Sequence, residues 1–466
     1  MSKVGSATNP LRVAIIGAGP AGFYTVSNLL KQTDLTVEMD MFDRLPSPFG
    51  LVRAGVAPDH QKYKTVVRAY DKSAQNNNYR FYGCVEYGTH VHLADLKEHY
   101  HQVVFTTGAQ RDRSMGIPGE ELAGSHSATD FVAWYNGHPE FVDYQFDLSK
   151  PRVAIVGIGN VALDVARILC KTPAELADSD MADYALKALE HSSIKEVYIL
   201  GRRGPAQAAF TTPEIKEMGE LADTDVKVLE EDAQLDRFSQ AELEEGKDRT
   251  KQKNVKIIQD FATRSPSGKN RELTIRFLVS PTEIIGDESG RVKAVKIVRN
   301  ELFQSDDGTV RPRATDRVET LPIDLIFRSV GYRGIPIPAI PFNESWGTIE
   351  NEQGRIVDAD TRQPQKGLYT AGWIKRGPTG VIGTNKTDAQ ETVKCMVEDL
   401  HAESILHPGQ PQMKAARGLI RERQPQFVSY DDWLVIDREE IARGQTDGRP
   451  RVKFTSVEEM LAVLGR

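Results

Sequence analysis

One pattern occurs twice in this chain of 466 residues, and few folds accommodate it. Arg12 to Ile16 (RVAII) is a short β-branched run that leads into Gly17-Ala18-Gly19-Pro20-Ala21-Gly22. Phe23, Val26, Leu29 and Leu30 follow at helical spacing. Further on, Arg152 to Val156 (RVAIV) leads into Gly157-Ile158-Gly159-Asn160-Val161-Ala162, and Val161, Val165, Ile168 and Leu169 again mark one helical face. Short, continuously apolar runs suit parallel strands covered on both sides. In such a unit the first glycine permits a tight turn and the second lets backbone approach a pyrophosphate. The third, replaced by Ala162 in the second copy, lets helix and strand pack closely. The helix start offers N–H groups and partial positive charge to phosphates.

The expected fold class is therefore α/β, with two Rossmann-like dinucleotide-binding domains, and the chain is longer than one core usually organises. The residues after each loop separate the ligands. A second strand, Thr36 to Phe42 (TVEMDMF), ends at Asp43, an acid that can accept hydrogen bonds from a free ribose 2′-hydroxyl, as in FAD. After the second loop the next clear strand, Glu196 to Leu200 (EVYIL), ends in Gly201-Arg202-Arg203-Gly204. Paired guanidinium groups there suit a 2′-phosphate, so FAD is expected at the first site and NADP at the second. The wide spacing before Glu196 requires an inserted helix, roughly Pro173 to Glu190.

Elsewhere His101 to Gly108 reads as a buried strand, Gly116 to Gly119 as a linker, and Pro322 to Gly331 and Gly367 to Gly372 as strand-to-turn segments. Residues 235–255 and 303–318 are polar and read as solvated helix and hairpin. Ser456 and Glu459 have the spacing of a helix cap before Met460 and Leu461. Three scattered cysteines, Cys84, Cys170 and Cys395, supply neither a CxxC redox pair nor the four thiolates of an iron–sulfur cluster. An organic cofactor is left to carry electrons, and no metal site is expected. The net charge of −7 argues against nucleic-acid binding. No apolar stretch has the length for membrane insertion. The polar segment Met1 to Pro10 has no signal-peptide core, and a cytoplasmic location is expected.

With both loops placed, three runs carry a closer resemblance: Pro48 to His60 (PFGLVRAGVAPDH), Gly201 to Thr212 (GRRGPAQAAFTT) and Gly372 to Lys386 (GWIKRGPTGVIGTNK). They resemble adrenodoxin-reductase-type ferredoxin–NADP reductases, bacterial members above all, from about residue 11 to the Gly448-Arg449-Pro450-Arg451-Val452 tail. The resemblance implies a glutathione-reductase-like topology, with 1–112 and 329–466 forming a discontinuous FAD-binding domain and 113–328 an NADP-binding domain. It also implies FAD contacts by Ala21, Asp43, Leu51, Val85, Trp373, Gly380, Val381 and Ile382. NADP contacts are implied for Arg113, the segment Ile158 to Val161, Arg202, Arg203 and Glu214, and for Gly380 as well. The family usually has Glu where this chain has Asp43, which shortens the reach to the ribose. Trp373 stands where many other two-dinucleotide flavoproteins have Asp, which sets this chain apart from thioredoxin- and glutathione-reductase branches.

The implied reaction is hydride transfer from NADPH to FAD, followed by single-electron transfer to a ferredoxin, an acidic iron–sulfur protein that can feed a cytochrome P450. No side-chain nucleophile is required. His60, Asp164 and Glu214 are the candidate catalytic groups, because the residues they match lie near the flavin or the nicotinamide. Gly377, Gly380 and Gly383 make a loop that can approach a flat ring, with a helix following through Asp388 to Leu400. Arg53, Lys62, Lys64, Lys375 and Arg376 are candidates for a basic docking rim. Two other readings use the same loops: an FAD- and NADPH-dependent oxidase or monooxygenase, and a non-catalytic dinucleotide sensor. The sensor leaves the Gly372–Lys386 run without a purpose.

Overall fold

In the computed structural model, which describes residues 2–246 and 248–466, the chain divides into two units. The first holds residues 1–111, 136–139 and 332–466, and the second residues 112–135 and 140–331, with Met1 outside the described residues. Residues 136–139, within the stretch expected for the second domain, group with the first unit. There Lys453 Nζ donates to the carbonyl and side-chain oxygens of Asn136, at 3.1 and 3.2 Å.

The first unit is built on a seven-stranded sheet. Its parallel part runs, in spatial order, Pro364–Thr370, Gln102–Phe105, Leu11–Ile16, Val37–Phe42 and Tyr79–Tyr82. Alternation along Leu11–Ile16 sends Leu11, Val13 and Ile15 into one apolar cluster and Ala14 and Ile16 into another. Both faces are thus covered, which is why this strand reads as an unbroken apolar run. The helices Pro20–Leu29, Thr384–His401 and Tyr430–Thr446 supply one cover, through Phe23, Val26, Met396 and Trp433 among others. The helix at 384 begins four residues before the expected Asp388.

Polar groups are also built into this sheet. Asp40, fully buried, accepts from Arg12 Nη2 at 2.7 Å, Arg80 Nε at 2.5 Å and the Tyr100 hydroxyl at 2.7 Å. Beside Asp40, the Tyr100 hydroxyl is pushed well above its usual pKa, first by burial and then by that carboxylate.

The second unit carries a six-stranded parallel sheet in the order Ser125–Ser127, Leu325–Arg328, Arg152–Val156, Glu196–Leu200, Arg271–Arg276 and Thr224–Val228. The same alternation holds, with Val153 and Ile155 on one side of the sheet and Ala154 and Val156 on the other. An antiparallel sheet of Val279–Gly286, Val292–Gln304 and Val310–Pro322 follows, so residues 303–318 form the tip of a long hairpin. The inserted helix expected over 173–190 is two helices, Pro173–Ala177 and Asp183–Glu190. Ser179 interrupts it: its hydroxyl donates to Leu176 O at 2.6 Å and accepts from Met181 N–H at 3.3 Å. Such local bonding competes with helix continuation. Most of residues 235–255 fall on the helices Arg237–Glu245 and Arg249–Thr263; Lys247, between them, lies outside the described residues. The last helix, Val457–Val463, is capped as expected, Ser456 Oγ accepting from Glu459 N–H at 3.1 Å.

Replacing Asp40 with Asn leaves Arg12 and Arg80 with only the half-buried Glu38 as counter-charge. Urea unfolding of D40N is expected to show a loss of roughly 3–5 kcal/mol. R313A, which breaks an exposed pair with Glu301, changes stability by less than about 1 kcal/mol.

Candidate nucleotide-binding sites

The first loop is shaped by what its glycines touch. Gly17 has φ +107°, and a Cβ there would lie 2.7 Å from Thr106 O, so this left-handed turn against the next strand end admits only glycine. Thr106 Oγ1 also donates to Gly17 O at 2.7 Å. A Cβ on Gly19 would meet nothing within 4 Å, so its open side faces a ligand's space, while Gly22 is packed on Gly17 O. Gly19 caps the helix without a side-chain bond, and Pro20 occupies its first turn without an N–H to satisfy. The remaining N–H groups are left for an anion.

Three further segments close around this loop. Asp43 Oδ2 accepts from Ala18 N–H at 2.8 Å and Oδ1 from Leu45 N–H at 3.0 Å. Burial pushes the Asp43 carboxyl above its usual pKa, against the lowering by these two N–H groups. A carboxylate has about four acceptor positions, which leaves room for a ribose hydroxyl. Val85, buried, donates its N–H to Asp43 O at 2.9 Å. Phe49, at φ 84°, donates its N–H to Ala18 O at 2.7 Å, and the following Gly50 lies against Gly19. That strained turn leads into the short helix Leu51–Ala54 and leaves Leu51 exposed.

The Gly372–Lys386 run meets the same loop. A Cβ on Gly372 would lie 2.5 Å from that of Ala21, and Gly372 N–H donates to Asp388 Oδ2. Trp373 packs its ring 5.4 Å from that of Tyr332 and donates its indole N–H to Thr379 O at 3.3 Å. Gly380 and Val381 are exposed, and Ile382 is half-buried against the core.

Of the basic candidates for a docking rim, two are internal. Lys375 is 7% exposed and sits 3.2 Å from Asp388 Oδ1, and Arg53 makes a two-armed pair with buried Glu440 at 2.7 and 2.5 Å. Arg376 spans the loop, donating to Thr379 O at 2.5 Å and Asn385 Oδ1 at 3.1 Å. Lys62 is exposed and Lys64 half-buried. Asp388 and Glu440 are the anchors that sequence reading missed. Asp388 lies two residues beyond the Gly372–Lys386 run, whereas Glu440 is distant in sequence from what it holds.

The second unit repeats the first loop's geometry. Gly157 has φ +132°, with its Cβ position against Ser329 O, and Gly159, again with open space around it, starts Asn160–Cys170 without a side-chain cap. Val161 lies in that helix's first turn and packs against the core. Asn160 Oδ1 accepts from Thr211 N–H at 2.8 Å and Ile158 O accepts from Ala209 N–H at 2.9 Å, which fixes the Arg202-bearing stretch to the loop. A Cβ on Gly201 would lie 2.5 Å from Ile158 Cγ2. Arg202 is exposed and its carbonyl accepts from Asn300 Nδ2 at 2.8 Å. Arg203 is half-buried, and burial and then the Arg202 charge lower its pKa, against the pull of Glu242. A dianionic phosphate relieves that repulsion. Arg113 is exposed and donates its N–H to Gly331 O at 3.0 Å, two residues beyond the Ser329 that faces Gly157.

Asp164 lies on the second turn of the helix that follows the loop. Glu214, which could as well have been a surface residue after Pro213, is 4% exposed in the helix Thr212–Met218. One residue joins them: Arg167, 1% exposed, donates from Nη2 to Asp164 Oδ1 at 2.7 Å and from Nη1 to Glu214 Oε2 at 3.2 Å. Its position three residues after Asp164 was the available signal. His60 belongs to the first unit, where it caps Gln61–Lys64 and its ring stands edge-on to Tyr63 at 5.3 Å. Cys84 and Cys170 are buried thiols pushed up to about 12 by burial, too high for redox chemistry as thiolates.

The chain is similar to known proteins over nearly its whole length. The family model described as pyridine nucleotide-disulphide oxidoreductase matches residues 11–384. The NADPH-ferredoxin reductase FprA of Mycobacterium leprae is 44% identical over 456 residues, covering 97% of this chain and 98% of that one. The mitochondrial NADPH:adrenodoxin oxidoreductase of Arabidopsis thaliana is 36% identical, covering 98% and 96%. A solved structure of Mycobacterium tuberculosis FprA in complex with NADPH aligns with a TM-score of 0.91 at 42% identity, over 98% of this chain and 99% of that one. With two uncapped glycine loops, an acid at one and paired arginines at the other, this chain belongs to the pyridine nucleotide-disulphide oxidoreductase family and, within it, to the adrenodoxin-reductase type.

Proposed function

We propose that this protein is an NADPH:ferredoxin oxidoreductase, taking hydride from NADPH onto FAD and passing electrons singly to an iron–sulfur protein. The observation that carries this reading is the difference between two otherwise matching loops: Asp43 bonded beneath the first, Arg202 and Arg203 fixed beside the second. A carboxylate suits a ribose that keeps its 2′-hydroxyl, and guanidinium groups suit one that bears a phosphate. The first unit, by this reading, is the FAD-binding domain and the second the NADP-binding domain. Relatives named NADPH-ferredoxin reductase at 44% identity point the same way. FAD, when bound, supplies the exchange between a two-electron hydride and single electrons.

The chain's own groups bind and orient. N–H groups at the starts of Pro20–Leu29 and Asn160–Cys170 take the two pyrophosphates. Asp43 takes the FAD ribose, with Ala21, Leu51, Val85, Trp373, Gly380, Val381 and Ile382 forming the rest of that pocket. Arg113, Ile158, Arg202, Arg203 and Glu214 hold NADP. His60, Asp164 and Glu214 are the groups able to hold or move a proton. Lys375 and Arg376 act from within, Arg376 stapling the exposed turn at 379–385. The partner is an acidic ferredoxin, and a cytochrome P450 is one consumer of the electrons it carries. Among the described residues no helix is long and apolar enough to cross a membrane, and we place the protein in the cytoplasm.

The deciding measurement is cytochrome c reduction by NADPH with and without added ferredoxin. Rapid reduction only with ferredoxin is expected, weakening as salt rises because the encounter is electrostatic. Hydrogen peroxide production unaffected by ferredoxin would instead identify an oxidase. G17A is expected to be purified without flavin. G157A stays yellow but is no longer bleached by NADPH under anaerobic conditions. The R203E variant should raise KM for NADPH by about 10- to 100-fold while leaving that for NADH nearly constant. Equal effects on both nucleotides would remove the 2′-phosphate from this site.

A further inference from the structure

Arg167 is placed where a helix built only for stability would carry an aliphatic side chain. Val165, Ala166, Ile168 and Leu169 around it are all buried in the unit's main core, and Arg167 itself is 1% exposed. Burying a guanidinium costs free energy that its partners seldom more than offset, and apolar replacements of buried ion groups are often neutral or stabilising. The arginine therefore calls for a reason other than packing.

Its geometry supplies one. The guanidinium is planar and carries donors in a fixed fork, so two carboxylates bound to different arms are fixed relative to each other. Nη2 binds Asp164 on the same helix at 2.7 Å, and Nη1 binds Glu214 on Thr212–Met218 at 3.2 Å. Glu217 lies on that second helix with its carboxylate 3.9 Å from Nη1. Both helices begin at the candidate nucleotide loop, one at Asn160 and the other beside Thr211, whose N–H Asn160 accepts. Arg167 thus couples the two elements a second time, about two turns further along its helix than the Asn160–Thr211 bond.

We propose that Arg167 is a positioning residue for hydride transfer: it holds Asp164 and Glu214 in register on the nicotinamide side of the second site. This rests on the proposed function, in which that site binds NADPH. Arg202 and Arg203 grip the other end of the nucleotide, so the two ends are separable by experiment.

The test is stopped-flow bleaching of the flavin by saturating NADPH, compared with binding of 2′-AMP, which bears the phosphate but no nicotinamide. R167Q is expected to slow bleaching by about 10- to 100-fold, as displaced orienting groups do, with 2′-AMP affinity unchanged. R167K, which keeps the charge but not the fork, recovers part of the rate. Bleaching of R167Q at the wild-type rate, or parallel losses of bleaching and 2′-AMP binding, overturns the positioning role. If R167Q does not fold, D164N/R167Q strands one carboxylate fewer and is compared with D164N: a further drop of about tenfold supports the role, and equal rates overturn it. A wild-type protein that NADPH does not bleach sinks the proposed function itself, before any variant is compared.

Discussion

Both candidate sites depend on one steric condition, a strand end pressed against a glycine that has no room for a side chain. Gly17 lies under Thr106 O and Gly157 under Ser329 O, each in a left-handed conformation. The contact stops the preceding strand, turns the chain and starts the next helix with its N–H groups unclaimed by any capping side chain. A Cβ at either position would push the loop off its sheet and remove the anion pocket with it. The carboxylate at 43 and the arginines at 202 and 203 only add selectivity to a pocket that this contact has already made.

That condition explains why so much was legible. Tight turns need glycine, two-sided strands need unbroken apolar runs, and both appear as local strings of residues. Asp43 stands at a strand end at the usual distance from its loop, and the Arg202–Arg203 pair at the end of the next clear strand, so they too could be found by reading along the chain. What was hidden depends on the chain returning from far away. Thr106 and Ser329 act through backbone carbonyls, which no residue type announces. Glu440 holds Arg53 from the other end of the sequence. The break at Ser179 was missed because helical spacing continues across it, while a serine hydroxyl closing on Leu176 O leaves no periodic trace.

Charge was the least legible property. Lys375 and Arg53 stand in glycine-containing runs that read as solvated, yet they, like Arg167 and Arg12, are committed to carboxylates inside the fold. Each ties segments distant in sequence or on separate helices: Lys375 the Trp373 turn to the helix after it, Arg53 the turn at Gly50 to the carboxy-terminal helix, Arg167 two helices of the second loop. Such pairs add little net stability compared with apolar packing, but they fix orientation, because a fork of donors meets two oxygens in few arrangements.

Committing these cations internally has a consequence for partner recognition. Each internal cation takes at least one carboxylate with it, so these pairs do not offset the net charge of −7, and they remove basic side chains from the candidate rim. Under the proposed function an acidic ferredoxin shares the sign of that net charge, so attraction must come from a local cluster and not from the overall field. Strong local attraction set in general repulsion favours encounters in one orientation. For a flavoprotein that passes single electrons over a short distance, orientation at encounter matters more than tight binding, since the reduced partner must leave again before the next transfer.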